Sequence, residues 1–173
     1  MPLKTPAFWY ASPGMASRLL SPAGRLFAAV GRARRASAHP EPAGVPVICI
    51  GNLVAGGAGK TPVALAVSAL LGTREVRFLT RGYGGREKGP VLVDLAGHDA
   101  AAVGDEALLL AQARPTWVAR DRLAGARSAA ATGAEIIVMD DGFQNARLEK
   151  DLSILVVDGG AGFGNGHRSE EHT

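Results

Sequence analysis

One stretch constrains this chain more than any other. Residues 47–52 read V-I-C-I-G-N, residues 53–62 read L-V-A-G-G-A-G-K-T-P, and residues 63–71 read V-A-L-A-V-S-A-L-L. A short β-branched run ending in glycine suits a buried parallel strand. The third stretch has a helical pattern. Strand, glycine-rich loop with Gly-Lys-Thr, and helix, in that order, is a phosphate-binding-loop arrangement. The glycines let successive backbone N–H groups turn toward one point, and the helix N-terminus adds its dipole there. The residues expected to bind the nucleotide are Val54, Ala55, Gly56, Gly57, Ala58, Gly59, Lys60 and Thr61. Lys60 would reach the outer phosphates, and the Thr61 hydroxyl would ligate Mg²⁺.

The loop is slightly degenerate. The first glycine of the usual pattern is replaced by Val54, and Ala55 stands where one subgroup of such proteins has a lysine. A glycine-rich turn that happens to precede Lys-Thr is the plain alternative, and the flanking strand and helix speak against it.

A second acidic strand end follows at residues 135–142, E-I-I-V-M-D-D-G. An apolar strand ending in Asp is the other place where such folds hold Mg²⁺. Adjacent residues of a strand point to opposite faces, so Asp140 and Asp141 cannot both face the metal from an extended backbone. Asp140 is favoured for the metal shell. Asp141 is left to cap the turn, bind a second ion or orient another group.

Other segments fit an alternating order. Residues 76–80, 90–94, 116–119 and 152–158 read as strands, the last as a buried one, and residues 105–112 and 120–132 as helices. This alternation predicts an α/β fold with a mostly parallel sheet flanked by helices, and ligands at the carboxyl ends of its strands. T-R-G-Y-G-G (80–85) follows a strand; Arg81 and Tyr83 there suit ligand contact or a flexible loop equally. In G-D-E (104–106), Asp105 and Glu106 suit helix capping and dipole matching, or a carboxylate that takes a proton from an attacking hydroxyl.

Charge is distributed unevenly. The net charge is +3, yet residues 1–40 carry six basic residues and no Asp or Glu, leaving −3 on the remainder. Apolar positions 19, 23, 26, 27 and 30 recur at helical spacing, with Arg18, Arg25 and Arg32 on a neighbouring stripe. This N-terminal amphipathic helix, weakened by Pro22 and Gly24, suits packing on the body, contact with lipid headgroups, or an organelle-targeting role. Arginines beside apolar residues, on an otherwise acidic chain, argue against nucleic acid. Residues 36–46, with three prolines, read as a linker. The single cysteine, Cys49, excludes an internal disulfide and a multi-cysteine metal site. No apolar run approaches the ~18 residues of a membrane-spanning helix. A soluble or peripheral cytoplasmic protein is therefore expected.

Taken together, residues 51–62, T-R-G-Y-G-G, V-G-D-E-A-L-L-L-A (103–111), D-D-G-F-Q-N (140–145) and G-F-G-N-G (162–166) resemble the tetraacyldisaccharide 4'-kinase family. The likeness runs from about Pro6 to Gly166. It implies transfer of the γ-phosphate of ATP, with Mg²⁺, to the 4'-hydroxyl of a tetraacylated glucosamine disaccharide, a lipid A precursor, giving lipid IVA. It implies work at the cytoplasmic face of the Gram-negative inner membrane, which the basic N-terminal segment (1–40) would meet. It carries over Lys60 and Thr61 as phosphate and Mg²⁺ contacts, Asp105 as the base, and Asp140 and Asp141 as the acidic pair. Asn145 departs from the family's usual histidine. The phosphate-loop lobe is expected over residues 41–166.

After Gly166 the family continues with a proline- and arginine-containing motif and a second lobe that supplies a catalytic histidine. Here the chain reads His167 and then R-S-E-E-H-T. Those last residues are also one reading frame of a common sequencing adapter, so the tail (167–173) is expected to be read-through and the polypeptide as written to have little or no kinase activity. Two other functions compete: a phosphate-loop ATPase of the partitioning or metal-delivery kind, which Ala55 argues against, and a fragment that binds nucleotide without turnover.

Overall fold

In the computed structural model, residues 39–52 and 59–157 are described. The expected N-terminal helix, loop residues Val54–Ala58 and the tail 167–173 lie outside them. Residues 39–52 and 59–156 form one compact unit. Its elements run, in chain order, β1 (Val47–Asn52), α1 (Lys60–Leu70), β2 (Val76–Thr80), β3 (Val91–Leu92), α2 (Ala100–Val103), α3 (Asp105–Ala111), β4 (Thr116–Val118), α4 (Arg122–Ala131), β5 (Ile136–Asp140) and β6 (Leu152–Val156).

The six strands make one sheet in the order β3-β4-β2-β5-β1-β6. All neighbours are parallel except β3 and β4. The chain crosses from β1 to β2, and β5 later fills the space between them. That insertion brings the two strands with functional ends side by side. Ile50 of β1 is level with Asp140 of β5.

Strand alternation builds two cores. On one face Val47, Cys49, Leu79, Ile137 and Met139 pack with Leu123, Ala126 and Ala129 of α4. On the other, Ile50, Val76, Phe78 and Val138 pack with Ala64 of α1 and Leu110 of α3. The apolar runs are continuous because both faces are covered. α4 lies close to the sheet because it is built from small residues. A Cβ at Gly125 would sit 2.5 Å from the Ala119 Cβ and 2.7 Å from the Leu79 Cδ1. Asp121 starts α4 by accepting from the N–H groups of Leu123 and Ala124, so this helix begins at Arg122 rather than at 120. Pro62 falls within the first turn of α1, where its missing N–H costs nothing.

Several expectations need correction. The strand expected at 90–94 shrinks to Val91–Leu92 and runs antiparallel at one edge. Pro90 has no N–H to donate, and the Asp94 carboxylate folds the chain back through the Ala96 N–H. Asp99 caps an unforeseen short helix, α2, through the Ala102 N–H. Among the described residues β6 is not an interior strand but the other edge of this sheet, with Leu152 and Leu155 exposed. The proline-rich stretch near 40 is no free linker. Glu41 bridges to Leu148, its side chain pairs with Arg127 and Arg147, and Ala43 enters the core. The loop 80–87 is fastened too, since the N–H groups of Arg86 and Glu87 donate to the Ala101 and Ala102 carbonyls.

Candidate nucleotide site

Gly59 adopts a left-handed φ of 71° and delivers the chain into α1, whose first two residues are Lys60 and Thr61. Opposite them stands the end of β5. The Thr61 hydroxyl donates to Asp140 Oδ2 at 3.1 Å. Lys60 Nζ donates to Asn52 Oδ1 at 3.0 Å and lies 3.7 Å from Asp141 Oδ1. Residues separated by about 80 positions thus form two crossed pairs between one helix start and one strand end.

Both acids reach the site, and the backbone explains how. Asp140 is the last residue of β5 and is buried. Asp141 lies just beyond the strand with a positive φ of 55°, a conformation that Asp tolerates better than most residues. Its N–H donates to the Ile50 carbonyl at 2.9 Å. The alternation that separates neighbours in a strand therefore ends at Asp140, and Asp141 swings its exposed carboxylate toward Lys60.

Asp140 is electrostatically poised. Burial pushes its carboxyl up to about 6, partly offset by the Thr61 hydrogen bond, raised further by Glu106 and Asp141 and opposed by Lys60. Its Oδ1 is buried and has no hydrogen-bond partner among the described residues. A desolvated carboxylate with an open lone pair, beside a hydroxyl and a second carboxylate, fits a hard divalent cation. Among the described residues no three His, Cys, Asp or Glu side chains cluster as a metal site. Mg²⁺ keeps several waters and takes one or two carboxylates plus phosphate oxygens.

Glycines set how closely the surrounding segments approach. A Cβ at Gly51 would lie 2.6 Å from the Phe143 ring, so that ring can rest on the end of β1 only over glycine. A Cβ at Gly104 would meet the Tyr83 carbonyl at 2.4 Å, so T-R-G-Y-G-G is held against the start of α3. Tyr83 itself points out, 84% exposed. Asp105 and Glu106 are exposed in the first turn of α3. Gly104 occupies the cap position and no side chain caps this helix. Glu106 is the member of the pair whose charge raises Asp140.

Sequence reasoning missed three participants. Asn52 closes β1 and holds the lysine. Arg122 is buried at the start of α4, donates to the Ala119 carbonyl and leaves its Nε without a partner among the described residues. Burial pulls it down to about 10, with Arg81 lowering it further and Asp141 and Asp140 acting oppositely. Lys150 holds the loop that follows Asp141. The G-N ending of β1 was legible; nothing local distinguishes Arg122 or Lys150 from surface cations.

The sequence profile of the tetraacyldisaccharide-1-P 4'-kinases matches residues 16–168. The chain belongs to this family. It is 59% identical over 170 residues to the tetraacyldisaccharide 4'-kinase of Rhodospirillum centenum and 57% identical over 170 to that of Parvibaculum lavamentivorans, covering 95% of this chain and 50% of each relative. The chain thus spans about half the length of the curated relatives it matches. LpxK from Aquifex aeolicus, whose crystal structure is of a complex with ATP, superposes with a TM-score of 0.71 at 31% identity, covering 82% of this chain and 49% of that one. The fold is accordingly that of a phosphate-loop kinase. Among the described residues no helix of the family member is long and apolar enough to cross a membrane.

Proposed function

We propose that this chain carries the nucleotide site of a tetraacyldisaccharide 4'-kinase. The longer protein would move the γ-phosphate of ATP to the 4'-hydroxyl of a tetraacylated glucosamine disaccharide, giving lipid IVA. The observation that carries this reading is the crossed pairing of Lys60 with Asp141 and of Thr61 with Asp140. The ATP complex of the Aquifex relative supports the nucleotide half of it.

Phosphoryl transfer asks a protein for positioning and charge neutralisation rather than covalent chemistry. Lys60 is a cation held at the site by Asn52 and Asp141. Thr61 and Asp140 would hold Mg²⁺ with Asp141 beside them, and Mg²⁺ when bound would neutralise charge developing on the phosphates. Asp105, solvent-exposed at the start of α3, is the residue proposed to accept the proton of the sugar hydroxyl. The basic, apolar segment 1–40 is proposed to meet anionic lipid at the cytoplasmic face of the inner membrane.

Titration calorimetry of this chain with ATP and Mg²⁺ tests the binding half, and thin-layer assay of the longer protein with radiolabelled ATP and the disaccharide lipid tests turnover. Lys60→Ala should abolish both. Near-normal turnover in that variant refutes the site assignment.

A further inference from the structure

The acidic turn that faces Lys60 is short, irregular and held from below by one lysine. Lys150 Nζ donates to the Asn145 carbonyl at 2.6 Å and to the Phe143 carbonyl at 3.3 Å. These two carbonyls belong to the turn that begins at Asp141. The lysine has a firm base. Next to it, the Asp151 N–H donates to the Val47 carbonyl at 3.0 Å, and the Asp151 carboxylate accepts from the Val47 N–H at 2.7 Å. On its other side the Glu149 N–H donates to the Glu41 carbonyl at 3.0 Å. The backbone of Lys150 is therefore tied to the start of β1, while its ammonium reaches the far end of the site.

We infer that Lys150 is a positioning residue for the nucleotide site, setting the Asp141–Asn145 turn at the height where Asp141 meets Lys60 and Phe143 rests on Gly51. The reading rests on the assignment of this turn to the nucleotide and metal site. Two features mark Lys150 as more than a surface cation. It is half-buried and its ammonium is held below the usual lysine range, chiefly by desolvation, so the protein gives up hydration to keep it there. And its two acceptors are main-chain carbonyls of one turn, which an ammonium can satisfy together with its three donors. The rest of the turn is fixed independently: the Asn145 carboxamide accepts from the N–H groups of Arg147 and Leu148. Loss of the ammonium would thus leave the Phe143 and Asn145 carbonyls without this donor and loosen the turn without unravelling β6.

The test compares the unsubstituted 173-residue chain with Lys150→Met and Lys150→Arg. Hydrogen exchange of the amides at 141–145 should quicken about tenfold in the Met variant, with Cys49 and Val138 in the sheet unchanged. The gain in ATP affinity that Mg²⁺ confers, read by calorimetry with and without the metal, should fall about fivefold in the Met variant and recover in the Arg variant, while metal-free ATP binding stays put. A turn that exchanges at the unsubstituted rate overturns the inference. So does a loss of protection spread evenly over the sheet, or an equal loss of affinity with and without Mg²⁺. If the unsubstituted chain binds no ATP, the proposed function fails, and the exchange pattern alone still decides whether Lys150 sets the turn.

Discussion

Replacing Asp140 by Asn should remove the pH dependence of stability that this one carboxyl imposes. In the nucleotide-free chain the group titrates near 6 rather than 3.8, because burial disfavours its charge. Between those two values the folded state holds a proton that the unfolded state has lost. Stability therefore falls as pH rises through this window, and the favourable contribution present below 3.8 is gone above 6. A shift of roughly two units corresponds to about 3 kcal/mol. Asparagine keeps the shape and still accepts from Thr61, but it leaves an amide N–H without a partner, a cost of about 1–3 kcal/mol. The variant should thus equal or exceed the parent in stability near pH 8 and fall below it near pH 4, the difference changing by about 2–3 kcal/mol. Urea denaturation followed by circular dichroism across that range measures it. Other groups cancel, since the Glu41 carboxyl, lowered chiefly by its bond to Arg127, is common to both proteins. Parallel stability curves for the two proteins would refute the claim that Asp140 is kept as a desolvated carboxyl awaiting a cation.

Two further substitutions probe the frame around the site. Gly51→Ala places a methyl 2.6 Å from the Phe143 ring, so it should destabilise by about 1–3 kcal/mol in thermal melts; adding Phe143→Leu should recover much of the loss. Asp121→Ala removes the cap of α4 and should cost about 1 kcal/mol in the same melts, without altering the ATP affinity measured by calorimetry.

Local pattern determined much of this protein. The strand before the glycine loop, the helix that starts at Lys60 and the apolar run ending at Asp140 depend on nearest neighbours along the chain, so strand and helix periods and the Gly-Lys-Thr signal were enough to place them. Lys60, Thr61, Asp140 and Asp141 could be named for the same reason. What the alternation did not give was the edge. β6 is an apolar run like β1, yet among the described residues it pairs on one side only, and strand order is settled by which surfaces pack, not by composition. Pairing across the site was equally out of reach. Lys60 meets Asp141 because β5 inserts beside β1 and because Asp141 alone leaves the extended backbone, and neither fact is local. Nothing in the local sequence around Arg122 or Lys150 marks either as more than a solvated cation. Only the tertiary structure buries Arg122 and half-buries Lys150, and loss of water turns a solvated charge into one that must find its partners inside the fold.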